Sequence, residues 1–123
     1  MATLTPTLTL TSTDATTDSL SITLTDSLTI EEPLTASARV SVATGSATQL
    51  VADAGVAGTV YAYVYNTDAT NFVSIKNDAG NLLGKLNPGE FCFIPVDTDT
   101  GGGLEVQADT AACVVEYGTF SKT

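Results

Sequence analysis

Strict alternation of apolar and hydroxylated residues runs through the first third of the chain. Leu8 and Leu10 alternate with Thr7, Thr9 and Thr11. Leu20, Ile22 and Leu24 alternate with Ser21, Thr23 and Thr25. Ala36, Ala38, Val40 and Val42 alternate with Thr35, Ser37, Arg39 and Ser41. A period of two predicts strands with one buried face and one wet face. Threonine suits the wet side, because its branched side chain fits the pleat while its hydroxyl tolerates water.

The second half is richer in apolar and aromatic residues. Val60 to Tyr65 reads Val-Tyr-Ala-Tyr-Val-Tyr, which puts Tyr61, Tyr63 and Tyr65 on one face. Phe72 to Lys76, Leu82 to Leu86, Phe91 to Val96, Leu104 to Ala108 and Cys113 to Phe120 follow as further strands. Short strands separated by turn signals argue for an all-β sandwich or barrel. Asn77-Asp78-Ala79-Gly80-Asn81 reads as a hairpin loop. Asn87-Pro88-Gly89-Glu90 carries Pro then Gly at the central positions of a type II turn. Asp97 to Gly103 reads as a flexible loop. No segment has a helical period, although Glu31-Glu32 ahead of Pro33 suits a single turn.

Two characters divide the chain without a linker. Residues 1–42 are rich in Thr, Ser and Leu, whereas residues 48–123 look like a compact core. The first part either supplies outer strands of the same sandwich or forms an arm that pairs with a neighbouring subunit, since exposed strand edges are templates for pairing.

Composition narrows the function. The 123 residues correspond to a single domain. A chain of this size buries roughly two thirds of its unfolded surface, so association would add to a thin margin of stability. Lys and Arg number 4 against 14 Asp and Glu, for a net charge of -10. Arg39, Lys76, Lys85 and Lys122 are scattered, so neither nucleic acid nor an anionic membrane is an expected partner. The acidity serves solubility, or else docking onto a basic surface or binding of Ca²⁺.

Histidine is absent, which removes the usual neutral-pH base and the commonest transition-metal ligand. Cys92 and Cys113 sit in apolar runs and read as buried free thiols, with a disulfide between neighbouring strands as the alternative. Two cysteines without histidine do not make a zinc site. The opening residues have no cationic and no continuous apolar region of a signal peptide. No apolar run approaches the ~20 residues of a membrane helix.

Candidate chemistry is sparse. No Ser, Thr or Cys is paired by spacing with a tuned base, so an enzyme is not expected. Asp97, Asp99, Gly101 and Glu105 resemble a calcium loop superficially but break the EF-hand spacing. An acidic, solvated turn is the expected reading. Gly101-Gly102-Gly103 lacks the Lys and following helix of a phosphate loop. No catalytic, cofactor or metal residue is therefore assigned. The tyrosines face outward if Val60, Ala62 and Val64 face the core, and inward otherwise. They serve core or inter-subunit packing, or a carbohydrate or protein contact.

Several ordered segments carry a resemblance. They are Val60-Tyr61-Ala62-Tyr63-Val64-Tyr65-Asn66-Thr67, Leu86-Asn87-Pro88-Gly89-Glu90-Phe91, Ile94-Pro95, Val106-Gln107-Ala108-Asp109-Thr110 and Val115-Glu116-Tyr117-Gly118. Together they resemble small structural proteins encoded in the virion modules of tailed bacteriophages, particularly marine and cyanobacterial ones. The resemblance covers roughly half to two thirds of the chain. It implies a jelly-roll-like antiparallel β-sandwich without enzymatic activity. It implies a place in the virion, as capsid decoration or cement, at the neck or on tail fibres; of these a capsid decoration or cement protein, assembled in the host bacterial cytoplasm, is the expected one. Partners would be the major capsid protein or other virion proteins, and copies of the chain itself as a homotrimer. Leu4, Leu8, Leu10, Tyr61, Tyr63 and Tyr65 are the expected contact residues. The alternatives are a neck, tail or fibre component that binds a host glycan, and a bacterial adhesion-type module, which would need an export signal.

Overall fold

The computed structural model describes residues 1–31 and 36–123. The turn expected at Glu31-Glu32 lies partly outside them. Among the described residues the structure is all β. The alternating first segments form β1 (Ala2–Leu4), β2 (Thr7–Ser12), β3 (Leu20–Thr25), β4 (Leu28–Ile30) and β5 (Ala36–Val42). The remainder forms β6 (Thr48–Val51), β7 (Thr59–Asn66), β8 (Val73–Lys76), β9 (Leu82–Leu86), β10 (Phe91–Asp97), β11 (Leu104–Ala108) and β12 (Cys113–Ser121).

Eight of these strands make two four-stranded antiparallel sheets, ordered β10-β7-β12-β5 and β6-β11-β8-β9. The pairing is nested. β5 pairs with β12, β6 with β11, β7 with β10, and β8 with β9. The two sheets together are thus one long folded hairpin wound into a jelly roll. The faces follow from the register. Val64 lies opposite Cys92 and Tyr117, and Ala62 opposite Ile94 and Thr119. These positions point inward, where Val42, Val64, Val73, Leu104, Val106 and Val115 are fully shielded from solvent. The tyrosines of β7 therefore take the outer face.

The first strands stand apart as a two-stranded ribbon. β1 pairs with β4, and β2 pairs with β3. The Asp26 N–H donates to the Pro6 carbonyl at 3.1 Å and keeps the two stretches in one register. Pro6 has no N–H to offer, which accounts for the break between β1 and β2. The base is anchored to the end of the sandwich. Ile30 bridges Lys122, and the Glu31 N–H donates to the Ser121 carbonyl at 2.9 Å. Within the first 42 residues, β5 is an outer strand of the sandwich, and the strands before it pair among themselves.

The expected turns are present. Gly89 has φ 79° and the Glu90 N–H closes onto the Asn87 carbonyl at 3.0 Å. The glycine loop differs from its expected looseness. The Gly101 N–H donates to Asp53 Oδ2 at 2.7 Å, Gly102 to the Asp99 carbonyl at 2.8 Å, and Gly103 to the Asp97 carbonyl at 2.8 Å. A Cβ on Gly102 would stand 2.1 Å from the Asp97 oxygen. Glycine is required there for close backbone approach rather than for freedom of movement.

Candidate functional site: an apolar ribbon beside an aromatic sheet face

Directly opposed residues of an antiparallel pair share a face. In the ribbon, Leu8 opposes Leu24, Leu10 opposes Ile22, and Ser12 opposes Leu20. The alternate pairs are Thr9 with Thr23 and Thr7 with Thr25, whose hydroxyls meet at 3.2 Å. One face is thus aliphatic and the other hydroxylated. The aliphatic face has no covering layer: Leu8 and Leu10 are each 46% exposed, Ile22 38% and Leu24 62%. Leu4 lies nearer the base, half-buried opposite Leu28.

The outer face of β7 and β10 is aromatic. Phe93 opposes Tyr63, Phe91 opposes Tyr65, and Pro95 opposes Tyr61. The Tyr61 and Phe93 rings stack diagonally, 6.1 Å between centroids and 8° apart in plane. Tyr61 is 7% exposed, whereas Phe91 is 67% and Phe93 40% exposed. Tyr63 and Tyr65 are half-buried beside them. Burial, with the Glu116 carboxylate beside it, pushes the Tyr63 hydroxyl above its ordinary pKa. Further across the sheet, Arg39 meets Glu116 at 3.2 Å.

The ribbon leans over this face, and the two enclose an open groove of about 700 Å³. Leu8, Leu24 and Leu28 form one wall, and Tyr61, Phe91 and Phe93 the other. Asp26 is the one charged residue lining it among the described residues. The other sheet contrasts with this. Its strands carry Lys76, whose ammonium donates to Gln107 Oε1 at 2.7 Å, and Lys85, which sits 4.0 Å from the Phe72 ring centre. On that sheet the lysines stand beside the exposed Leu82 and Leu83, whereas the aromatic cluster is confined to β7 and β10. A contiguous exposed apolar patch of this kind marks a contact surface.

The six expected contact residues thus divide. Leu8 and Leu10 lie on the open ribbon, Tyr63 and Tyr65 on the open sheet face, and Leu4 and Tyr61 at the shielded junction between them. Phe91 and Phe93 belong to the same patch and were not singled out. Their strand alternates Phe91, Phe93 and Pro95 with Cys92, Ile94 and Val96, so both faces are apolar and periodicity alone cannot orient it.

The acidic residues near the glycine loop hold backbone. Asp97 Oδ1 accepts from the Asp99 N–H at 2.9 Å, and Asp99 Oδ1 from the Thr100 N–H at 2.7 Å. Asp78 Oδ2 accepts from Gln49 at 2.8 Å and from the Asp53 N–H at 2.7 Å. No group of three or more His, Cys, Asp or Glu among the described residues is placed to hold a metal ion. Both cysteines are free. Strand β7 stands between theirs, which separates them by about 10 Å or more, beyond the ~7 Å reach of a disulfide. Among the described residues no helix is long and apolar enough to cross a membrane. No protein-family model, curated protein or solved structure matches this chain.

Proposed function

We propose that this chain is a virion structural protein that decorates or cements the head of a tailed bacteriophage. The observation that carries the reading is the neutral apolar patch on an otherwise acidic sandwich: the ribbon leucines together with Phe91 and Phe93. Such a patch acts by being covered, and no constellation for chemistry accompanies it. The resemblance of the β7, Pro-Gly turn and β12 segments to phage virion proteins supplies the particle. The partners are the major capsid protein or other virion proteins, and copies of the chain. Each contact is small, but repetition over a shell multiplies weak contacts into strong retention. The chain contributes no catalysis and binds neither nucleic acid nor membrane.

A second reading is a neck, tail or fibre component that binds a host glycan. The exposed Phe91 and Phe93 rings favour it, because sugars lie on aromatic faces. The groove supplies few polar groups to meet a sugar's hydroxyls, which disfavours it.

Quantitative mass spectrometry of purified particles separates these readings. A copy number equal to that of the major shell protein, or a simple fraction of it, is expected for decoration. A few copies per particle would indicate the neck or tail. Absence from particles would remove the virion reading.

A further inference from the structure

We propose that the occupant of the apolar patch is a second copy of this chain, bound about a two-fold axis. Each copy lays its ribbon leucines over the other's Phe91 and Phe93. This deepens the reading above, and it rests on the patch being a protein contact.

Three observations point to a like copy. First, a two-fold contact needs a patch that fits itself. Here aliphatic and aromatic halves adjoin on one chain, as Leu8 and Leu24 face Phe91 and Phe93 across one groove. Second, charge selects the site. The chain carries -10, so two copies repel over most of their surfaces. The ribbon strands β2 and β3 hold no charged residue and Asp26 is the one charge that the described residues bring to the groove, so contact there costs less than over the acidic remainder. A basic partner would find no carboxylate row to pair with on those strands.

Third, the area suffices. The exposed parts of the four ribbon side chains and two phenylalanines come to roughly 90 Å² each, so a reciprocal contact that covers them fully buries up to about 1,100 Å² in all, at the lower edge of specific interfaces. The ribbon also has its own need of cover. An isolated two-stranded hairpin is marginal in water, and a third layer on its apolar face makes it lasting.

Sedimentation equilibrium of the full chain tests this. A concentration-dependent dimer is expected. Leu24→Ser on the ribbon and Phe91→Ser on the sheet should each weaken dimerisation at least about tenfold. Both sites are open, 62% and 67% exposed, so the urea midpoint measured on the monomer should stay at the wild-type value. Leu83→Ser, 54% exposed on the other sheet, should leave the dimer intact. A monomer, a trimer, or a dimer that neither patch substitution weakens overturns the proposal. A monomer that still binds phage shells through the patch would overturn the two-fold contact alone and leave the decoration reading standing.

Discussion

The side chain of Asn66 is fully buried and donates to the carbonyl of Leu86 at 3.1 Å. The same amide nitrogen donates to the Asn71 carbonyl at 2.9 Å, and its oxygen accepts from the Asp68 N–H at 3.1 Å. The Asn66 backbone closes the ring, donating to Glu90 and accepting from Gly89, each at 3.0 Å. One asparagine thus ties the end of β7 to the 68–71 loop, to β9 and to the Pro-Gly turn. Asn66→Leu would take the amide donor away from the Leu86 and Asn71 carbonyls. The expected cost is about 3 kcal/mol, or roughly 10 °C in Tm. Asn66→Asp loses both donations and should fall nearly as far. Thermal melting followed by circular dichroism reads both.

Gly102 is tightly enclosed. Alanine there would drive its Cβ into the Asp97 carbonyl, 2.1 Å away. The loop must open and give up the Gly102 and Gly103 donations. A loss of about 3 kcal/mol or more in urea unfolding is expected. Gly45→Ala, which meets nothing within 4 Å, serves as the comparison and should be near neutral.

Acid should loosen the turns around Asn66 first. The Asn71 and Thr70 N–H groups hold the Asp68 carboxyl below its ordinary pKa. The Asn87 N–H and side-chain amide, with Lys85 nearby, do the same for Glu90. A lowered folded-state pKa adds stability that is complete above the unfolded value, near pH 4. That stability is lost as pH falls through the lower folded value. The urea midpoint should therefore hold from neutrality to about pH 4 and decline below it. The double variant Asp68→Asn, Glu90→Gln should show a flatter decline. An unchanged slope would remove both carboxylates from the acid response.

Adjacent residues of β7 should separate folding from assembly. Val64 is fully buried, and Val64→Ala should cost about 2 kcal/mol of protomer stability. Tyr63 faces outward between Phe93 and Gly118. Tyr63→Ala should weaken assembly more than folding. Equal losses of both would place Tyr63 in the core.

The thiols should react slowly until the sandwich opens. Burial pushes Cys92 and Cys113 above the ordinary thiol pKa, with Asp68 and Asp109 adding to the effect at Cys113. Thiol titration is expected to find both groups in denaturant and to find Cys113 hidden in the native protein.

Much of the fold was legible because alternation carries it. Thr-Leu-Thr-Leu cannot satisfy both faces in a helix, and Val42 is buried where period two puts it; the side to which Val64 and the tyrosines turn was left open by the pattern. The Pro88-Gly89 turn was legible from its backbone demands. Strand neighbours were not, because alternation fixes a face and is silent on partners. Nor was the openness of the ribbon. Leu8 and Leu24 carry the same signature whether a sheet covers them or not. The aromatic half of the patch was hidden for a related reason, since Phe91 and Cys92 are both apolar and only the fold decides which of them meets water. The Asn-Thr and Pro-Gly-Glu segments of the resemblance meet in space around Asn66, so their shared demand is architectural.

The nested strand pairing sets an order of events for a chain leaving the ribosome. The innermost pair, β8 with β9, spans a short loop and closes at once. Each outer pair closes a longer loop, and β5 must wait for β12, whose Glu116 lies 77 residues along the chain from its partner Arg39. Loop closure of that length is slow and cannot begin before the last strand is made. The ribbon, which precedes the sandwich strands and closes on itself between Ser12 and Leu20, presents its leucines to solvent throughout that interval. Synthesis time is therefore the period of greatest exposure to wrong partners, and the threonines on the ribbon's reverse face limit that exposure to one side.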